Sequence, residues 1–310
     1  MNPTRTKTPE QVERRAAYLR GKLAGIQKEL DQIAPASAPS SPRPATPEAF
    51  KDLNLLIGIP AYGGLLQNTF VASLIVLSQS LVNLGIPHQI KILGNQSLIT
   101  LARNHLANAV FDGDTTGKPF THLLFIDSDQ GFQASDVISM IFARKEIIGL
   151  PVCYKSIEWN QVAEAARRGV PPAQLPQFVG RTSFVRHDMS EIQIDKLARV
   201  KAIGTGILLI ARTVLEKMMN AHPTWTYQRN SDDTTNPKRE RDFDFFQTSR
   251  DEETGLYLGE DQFFCRTAGQ LGVEIWMIPS AVTAHIGTYQ FIHNLPALAW
   301  LSGTDAPSKN

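Results

Sequence analysis

The spacing of apolar residues changes several times along the chain, and each change marks an element. Between residues 8 and 33, Val12, Ala16, Leu19, Leu23, Ile26, Leu30 and Ile33 recur at alternating intervals of four and three, the seam of a heptad-patterned helix. Thr8-Pro9-Glu10-Gln11 precedes that seam with an N-cap, a proline at the first helical position and a Gln three residues after the cap. Residues 34–49, APASAPSSPRPATPEA, carry no period and read as a semi-rigid, solvated linker. Beyond them short apolar blocks alternate with helix-period segments. Strands are expected at 53–60, 88–93, 122–126, 146–152 and 273–278, helices at 65–84, 97–110, 135–144 and 259–271, with a polar helix ending near Arg168 and short strand-like runs between 179 and 210. Alternation of this kind builds βαβ units around a parallel sheet whose strands are buried on both faces. The expected organisation is an N-terminal helix (1–33), a linker (34–49) and one α/β domain (50–310).

Composition narrows this picture without changing it. The 310 residues are 42% hydrophobic and 20% charged, with a net charge of +1, ordinary values for a globular domain. Such a balance offers no electrostatic grip on nucleic acid or an anionic membrane. No apolar run reaches the roughly eighteen residues of a membrane span, and MNPTRTKTPEQ lacks the apolar core of a signal peptide. The expectation is a cytoplasmic protein in which the two cysteines, Cys153 and Cys265, are reduced, buried and inert. The heptad helix of residues 8–33 suits a homo-oligomer contact or packing on the domain.

The candidate chemistry lies where strands end. His122-Leu123-Leu124-Phe125-Ile126 stops in Asp127-Ser128-Asp129, and ligands of open α/β sheets collect at the carboxyl ends of strands. Two carboxylates one residue apart can hold a divalent cation through hard oxygens and leave positions for phosphate oxygens. Turn formation by Asp and Ser is the plainer reading. Pro60-Ala61-Tyr62-Gly63-Gly64 follows the first strand and offers close backbone approach and a flat aromatic face. Arg103 lies on the following helix, within reach of a base or phosphate. Gly204-Thr205-Gly206 precedes the strand 207–210; close approach to a sugar or diphosphate and a simple bend in the sheet are both compatible with it. Glu260-Asp261 opens a helix, where the macrodipole alone favours carboxylates and where one of them can also accept a proton from a hydroxyl. His285 follows a late strand beside Gly287. Gly113 to Pro119 superficially matches a P-loop, but it is one residue short, has Pro at the Ser/Thr position and precedes a strand, which rules out an NTPase on that motif. The polar run RNSDDTTNPKRERD at 229–242 has the length of a lid or binding loop.

Taken in order, the Pro-x-Tyr loop, Arg103-Asn104, Asp127-Ser128-Asp129, Gly204-Thr205-Gly206, Glu260-Asp261 and His285 resemble glycosyltransferases of the GT-A fold, most closely the inverting family 2 group and its bacterial and viral relatives. The resemblance covers about residues 53 to 290. It implies a mostly parallel, Rossmann-like sheet and a nucleoside pocket at Pro60, Ala61 and Tyr62, with Arg103 nearby. Asp127 and Ser128 would lie by the ribose, Gly204, Thr205 and Gly206 would back the sugar or diphosphate, and Asp127, Asp129 and His285 would hold Mn²⁺ or Mg²⁺. Asp261 would be the base, with Glu260 placing the acceptor. The implied donor is a UDP- or GDP-sugar, and the implied acceptor a hydroxyl of a glycan, a lipid-linked molecule or a small molecule. The Gln-x-x-Arg-Trp motif of processive members is absent from the sequence, which disfavours a polymerising synthase. A retaining GT-A transferase and a non-catalytic nucleotide-sugar-binding module stand as alternatives. The long interval between Asp129 and Asp261 leaves room for insertions around 160–200 or 225–245.

Overall fold

The computed structural model describes residues 52–188, 192–229, 239–252 and 254–302. The heptad helix, the linker and most of the polar run at 229–242 lie outside the described residues. The first apolar block forms β1 (Leu55–Ala61), fully buried along its length. Then follow β2 (His88–Gly94), β3 (His122–Ile126), the short β4 (Gln130–Gly131) and β5 (Ile147–Gly149). The next strands are β6 (Cys153–Tyr154), β7 (Arg181–Thr182), β8 (Val185–Arg186), β9 (Ala198–Ala202) and β10 (Ile207–Ala211). Two short antiparallel pairs, β11 (Thr226–Gln228) with β12 (Arg241–Phe243) and β13 (Ser249–Arg250) with β14 (Tyr257–Leu258), precede β15 (Ile275–Met277), β16 (Val282–Ile286) and β17 (Gln290–Asn294).

The central sheet has eight strands in the order β2-β1-β3-β10-β5-β15-β9-β8. β1 pairs in parallel with both β2 and β3, and β15 with β5. β10, however, runs antiparallel to β3 and β5, and β9 antiparallel to β15 and β8. The protein is thus mixed α/β with a largely parallel central sheet and flanking helices, compatible with a Rossmann-like arrangement. The hydrophobic run Ile207-Leu208-Leu209-Ile210 is as buried as any parallel strand. Burial on both faces sets its composition, and composition carries no direction.

Side-chain alternation decides what each face packs against. Leu123 and Phe125 of β3 and Leu208 and Ile210 of β10 share one continuous core with helices Ile99–Ala109, Arg212–Ala221 and Glu260–Gln270, through Leu106, Leu215, Phe264 and Ala268. Leu124 and Leu209 alternate with them and are as fully buried. Phe125, Phe246 and Phe264 form an aromatic stack under the sheet's carboxyl edge, the first pair edge-on at 5.4 Å and the second nearly parallel at 4.6 Å. Asn108 clamps the 243–246 segment to its helix by giving a side-chain N–H to the Phe243 carbonyl and accepting from the Phe243 N–H, while Asn104 accepts from the Phe246 N–H. Two amide side chains therefore satisfy backbone groups that no ladder covers.

A second sheet, β17-β16-β4, stands beside the first. β4 begins one residue after Asp129, so the Asp127-Ser128-Asp129 corner is where the chain passes from one sheet to the other. Gly113–Pro119 is an exposed loop: Asp114 accepts hydrogen bonds from the Thr116 hydroxyl and from the Thr116 and Lys118 N–H groups. Those bonds, the Thr116 hydroxyl foremost, hold its carboxyl down to about 2. Both cysteines are free and buried, and burial raises their thiols to about 11 and about 12, which keeps them protonated and unreactive. Among the described residues no helix is long and apolar enough to cross a membrane.

Candidate functional site

A cleft of about 340 Å³ opens at the carboxyl edge of β1 and β3, lined by Pro60, Ala61, Tyr62, Gln96, Ser97, Ile99, Ala102, Asp127, Ser128 and Asp129. Five of the expected pocket residues and Asp129 therefore meet in one place. Each comes from a strand end: a short turn at Tyr62–Gly64 follows β1, Gln96 and Ser97 follow β2, and the aspartates follow β3. Gly63 and Gly64 take φ of 66° and 69°, a region open to Gly at little cost, and the turn leaves Tyr62 77% exposed at the rim. Gln96 and Ser97 were not legible as site residues from their own types. Their position directly after β2 was the available signal.

The antiparallel course of β10 has a consequence here. Its first residue, Ile207, pairs with Ile126 at the end of β3, so the Gly204-Thr205-Gly206 loop arrives at the same edge as the aspartates. The Gly206 carbonyl accepts the Asp127 N–H at 2.9 Å. What approaches these glycines, however, is the protein itself. A Cβ at Gly206 would stand 3.4 Å from the Gln130 side chain and from Val152, and one at Gly204 would stand 3.3 Å from Ser183 Oγ and 3.8 Å from Asp261 Oδ2. Thr205 is buried. None of the three residues is among those lining the cleft; the loop packs against the protein behind Asp127.

Arg103 departs from its expected place beside a base or phosphate. Its side chain is 4% exposed and turned inward, with the guanidinium 5.4 Å from the Phe125 ring centre. Nη1 and Nη2 donate to the two oxygens of Asp127 at 3.0 and 3.1 Å, a bidentate fork, and Nε donates to Glu260 Oε1 at 3.3 Å. Burial would lower the guanidinium pKa, but the facing carboxylates outweigh it and hold it raised. Both carboxylates are thereby used: Asp127 is not presented as an open ligand, and Glu260 faces the arginine instead of an acceptor. The physical reason is that a buried guanidinium needs paired carboxylates, and this one meets them from two distant parts of the chain.

Beside Glu260, Asp261 makes no hydrogen bond to Arg103 and has its Oδ2 near Gly204. It is half-buried at the start of its helix, and its Oδ1 accepts the Gln262 N–H at 2.7 Å. Burial first, and the charge of Glu260 second, push its carboxyl above the ordinary range against the opposing pull of Gln262 N–H and Arg103.

Asp129 has a different environment. Oδ2 accepts from Lys155 Nζ at 2.6 Å, while Oδ1 is buried with no hydrogen bond of normal geometry among the described residues. His285 Nε2 stands 3.4 Å from that oxygen. The other ring nitrogen, Nδ1, is 2.7 Å from the Cys153 carbonyl, which can only accept, so Nδ1 carries the proton. Nε2 then faces a carboxylate oxygen that it can meet through a proton of its own or through a cation held between them. A ring fixed through its far nitrogen by a carbonyl is the arrangement found behind metal-ligating histidines. Burial would raise the Asp129 carboxyl, but His285 and Lys155 outweigh it and hold the group below its usual range. The donor set fits a divalent cation at Asp129 Oδ1 and His285 Nε2. With Asp127 taken by Arg103, no group of three His, Cys, Asp or Glu is gathered for a metal among the described residues. Lys155 had no signal in the sequence, being a single Lys after a two-residue strand.

No family model matches the chain, and no curated protein does. A solved structure, the crystal structure of A197 from STIV, superposes with a TM-score of 0.42 at 15% identity, covering 78% of this chain and 95% of that one. Nothing about chemistry follows from that likeness.

Proposed function

We propose that the protein is a glycosyltransferase of the GT-A type that moves one sugar from a nucleoside-diphosphate sugar to a hydroxyl acceptor. The observation that carries this reading is Arg103, which ties Asp127 on the cleft side to Glu260 on the helix that presents Asp261. The two groups of carboxylates, far apart in sequence, are thereby linked through one side chain, which supports reading them as a donor pocket and an acceptor base.

In this reading the nucleoside lies against Tyr62 in the cleft lined by Pro60 and Ala61, with Ser128 at its inner edge. A divalent cation held by Asp129 and His285 would offset the charge developing on the departing diphosphate. Asp127, locked by Arg103, fixes the corner from which Asp129 projects. The carboxyl of Asp261, raised by burial and by the charge of Glu260, is a stronger base than a solvent-exposed aspartate. It takes the proton of the acceptor hydroxyl as that oxygen bonds to the anomeric carbon. The bond from that carbon to the diphosphate oxygen breaks with its electron pair leaving on the diphosphate. Attack from the face opposite the leaving group inverts the anomeric configuration.

The test is a thermal-shift panel of UDP-, GDP-, CDP- and dTDP-sugars with Mn²⁺, followed by donor hydrolysis with and without the metal. One nucleotide series should raise the melting temperature, and that donor should be consumed. Binding without consumption would reassign the protein to a nucleotide-sugar-binding module, and no shift with any series would remove the donor from the reading.

A further inference from the structure

Lys155 reaches the site from outside the cleft's own walls. It follows β6, and its stem crosses Gly287, where even a Cβ would come within 3.2 Å of Lys155 Cδ; a side chain at position 287 would crowd the path to Asp129. The ammonium ends 2.6 Å from Asp129 Oδ2, with the side chain 40% exposed against 4% for Arg103. An exposed ammonium on a four-carbon stem can leave its partner. The buried fork of Arg103 cannot.

The positions of the two cations at Asp129 conflict. A divalent ion accepted by Asp129 Oδ1 and His285 Nε2 would share one carboxylate with the Lys155 ammonium on Oδ2, and two positive charges a few ångströms apart repel. A diphosphate seated beside Asp129 supplies the negative charge that removes the conflict, since an ammonium is a natural phosphate partner. We propose, resting on the nucleotide-sugar reading, that Lys155 is a tethered counter-ion. It neutralises Asp129 while the site is empty, competes with the divalent ion for that carboxylate, and transfers to the donor's diphosphate when ion and donor bind. The divalent ion then binds weakly alone and firmly with the diphosphate, and by reciprocity each strengthens the other.

Two measurements with opposite expected signs test this on the full chain. Lys155→Met keeps the stem and removes the charge. Mn²⁺ alone, followed by the paramagnetic resonance of the free ion, should bind this variant at least about fivefold more tightly than the native protein. Inorganic pyrophosphate, titrated calorimetrically at saturating Mn²⁺, should bind it roughly tenfold more weakly. Lys155→Arg should stay near the native values in both. Unchanged Mn²⁺ affinity in Lys155→Met, or unchanged pyrophosphate affinity, overturns the counter-ion role. Asp129→Ala separates the two levels. If it abolishes Mn²⁺ binding while Lys155→Met changes nothing, only the role of Lys155 falls; if native Mn²⁺ binding is absent or indifferent to Asp129→Ala, the metal site of the nucleotide-sugar reading falls with it.

Discussion

Asp127 and Asp129 are two residues apart on the same strand end, yet they occupy different kinds of environment. Asp127 is half of a bidentate pair whose guanidinium is buried and shared with Glu260. Asp129 holds an exposed lysine on one oxygen, and its other, buried oxygen faces His285 Nε2 at 3.4 Å. The lesson is that two carboxylates one residue apart need not share an environment: the first is locked into the frame, and the second keeps an exposed partner that can move.

Breaking the frame should have the largest effect. Arg103→Met leaves two carboxylates without their buried partner, and a stability loss of about 3–5 kcal/mol is expected in chemical denaturation. A loss below 1 kcal/mol would show that Asp127 is not locked in the way described. Asp261→Asn should leave nucleotide binding intact and lower turnover on the order of 10²- to 10⁴-fold, with no loss of stability because the amide carries no charge to bury. Turnover near the native rate would remove Asp261 as base and with it the acceptor half of the site.

On the adjustable side, Asp129→Ala should abolish metal-dependent nucleotide binding while shifting stability by no more than about 1 kcal/mol, since its lysine partner remains solvated. A melting temperature depressed as far as that of Arg103→Met would erase the distinction between the two aspartates. A carboxylate outside the site gives the scale for the rest. Burial raises Asp136 to about 6, so between the unfolded and folded pKa values the native state binds more protons and stability falls as pH rises. The penalty is complete above about pH 6 and absent below the ordinary aspartate range. Asp136→Asn should therefore stabilise by about 1–2 kcal/mol at pH 7, the gain vanishing in melts near pH 4. A gain independent of pH would point to helix packing as its source.

Much of the frame was readable in advance because it depends on local pattern. β1, β3 and the helices at 99–109 and 260–270 lie within a few residues of their expected bounds, since buried strands and amphipathic helices leave periods that survive without neighbours. Pro60, Ala61, Tyr62, Ser128 and the aspartates line one cleft for the same reason: they end or follow strands, and strand ends make clefts. The roles of Arg103 and Glu260 were not readable. Their contact joins residues 157 positions apart, and an arginine on an apolar helix looks the same whether it faces solvent, a phosphate or a buried carboxylate.

By itself the sequence determined which segments become strands and helices, because apolar spacing is a property of neighbours along the chain. It also placed carboxylates at the ends of β3 and at the start of the Glu260–Gln270 helix. Tertiary structure alone decided the direction of β10, the inward turn of Arg103, and the meeting of Lys155, His285 and Asp129. Those outcomes depend on which charges and backbone groups meet across the fold, where burial makes an unmatched charge too costly to keep.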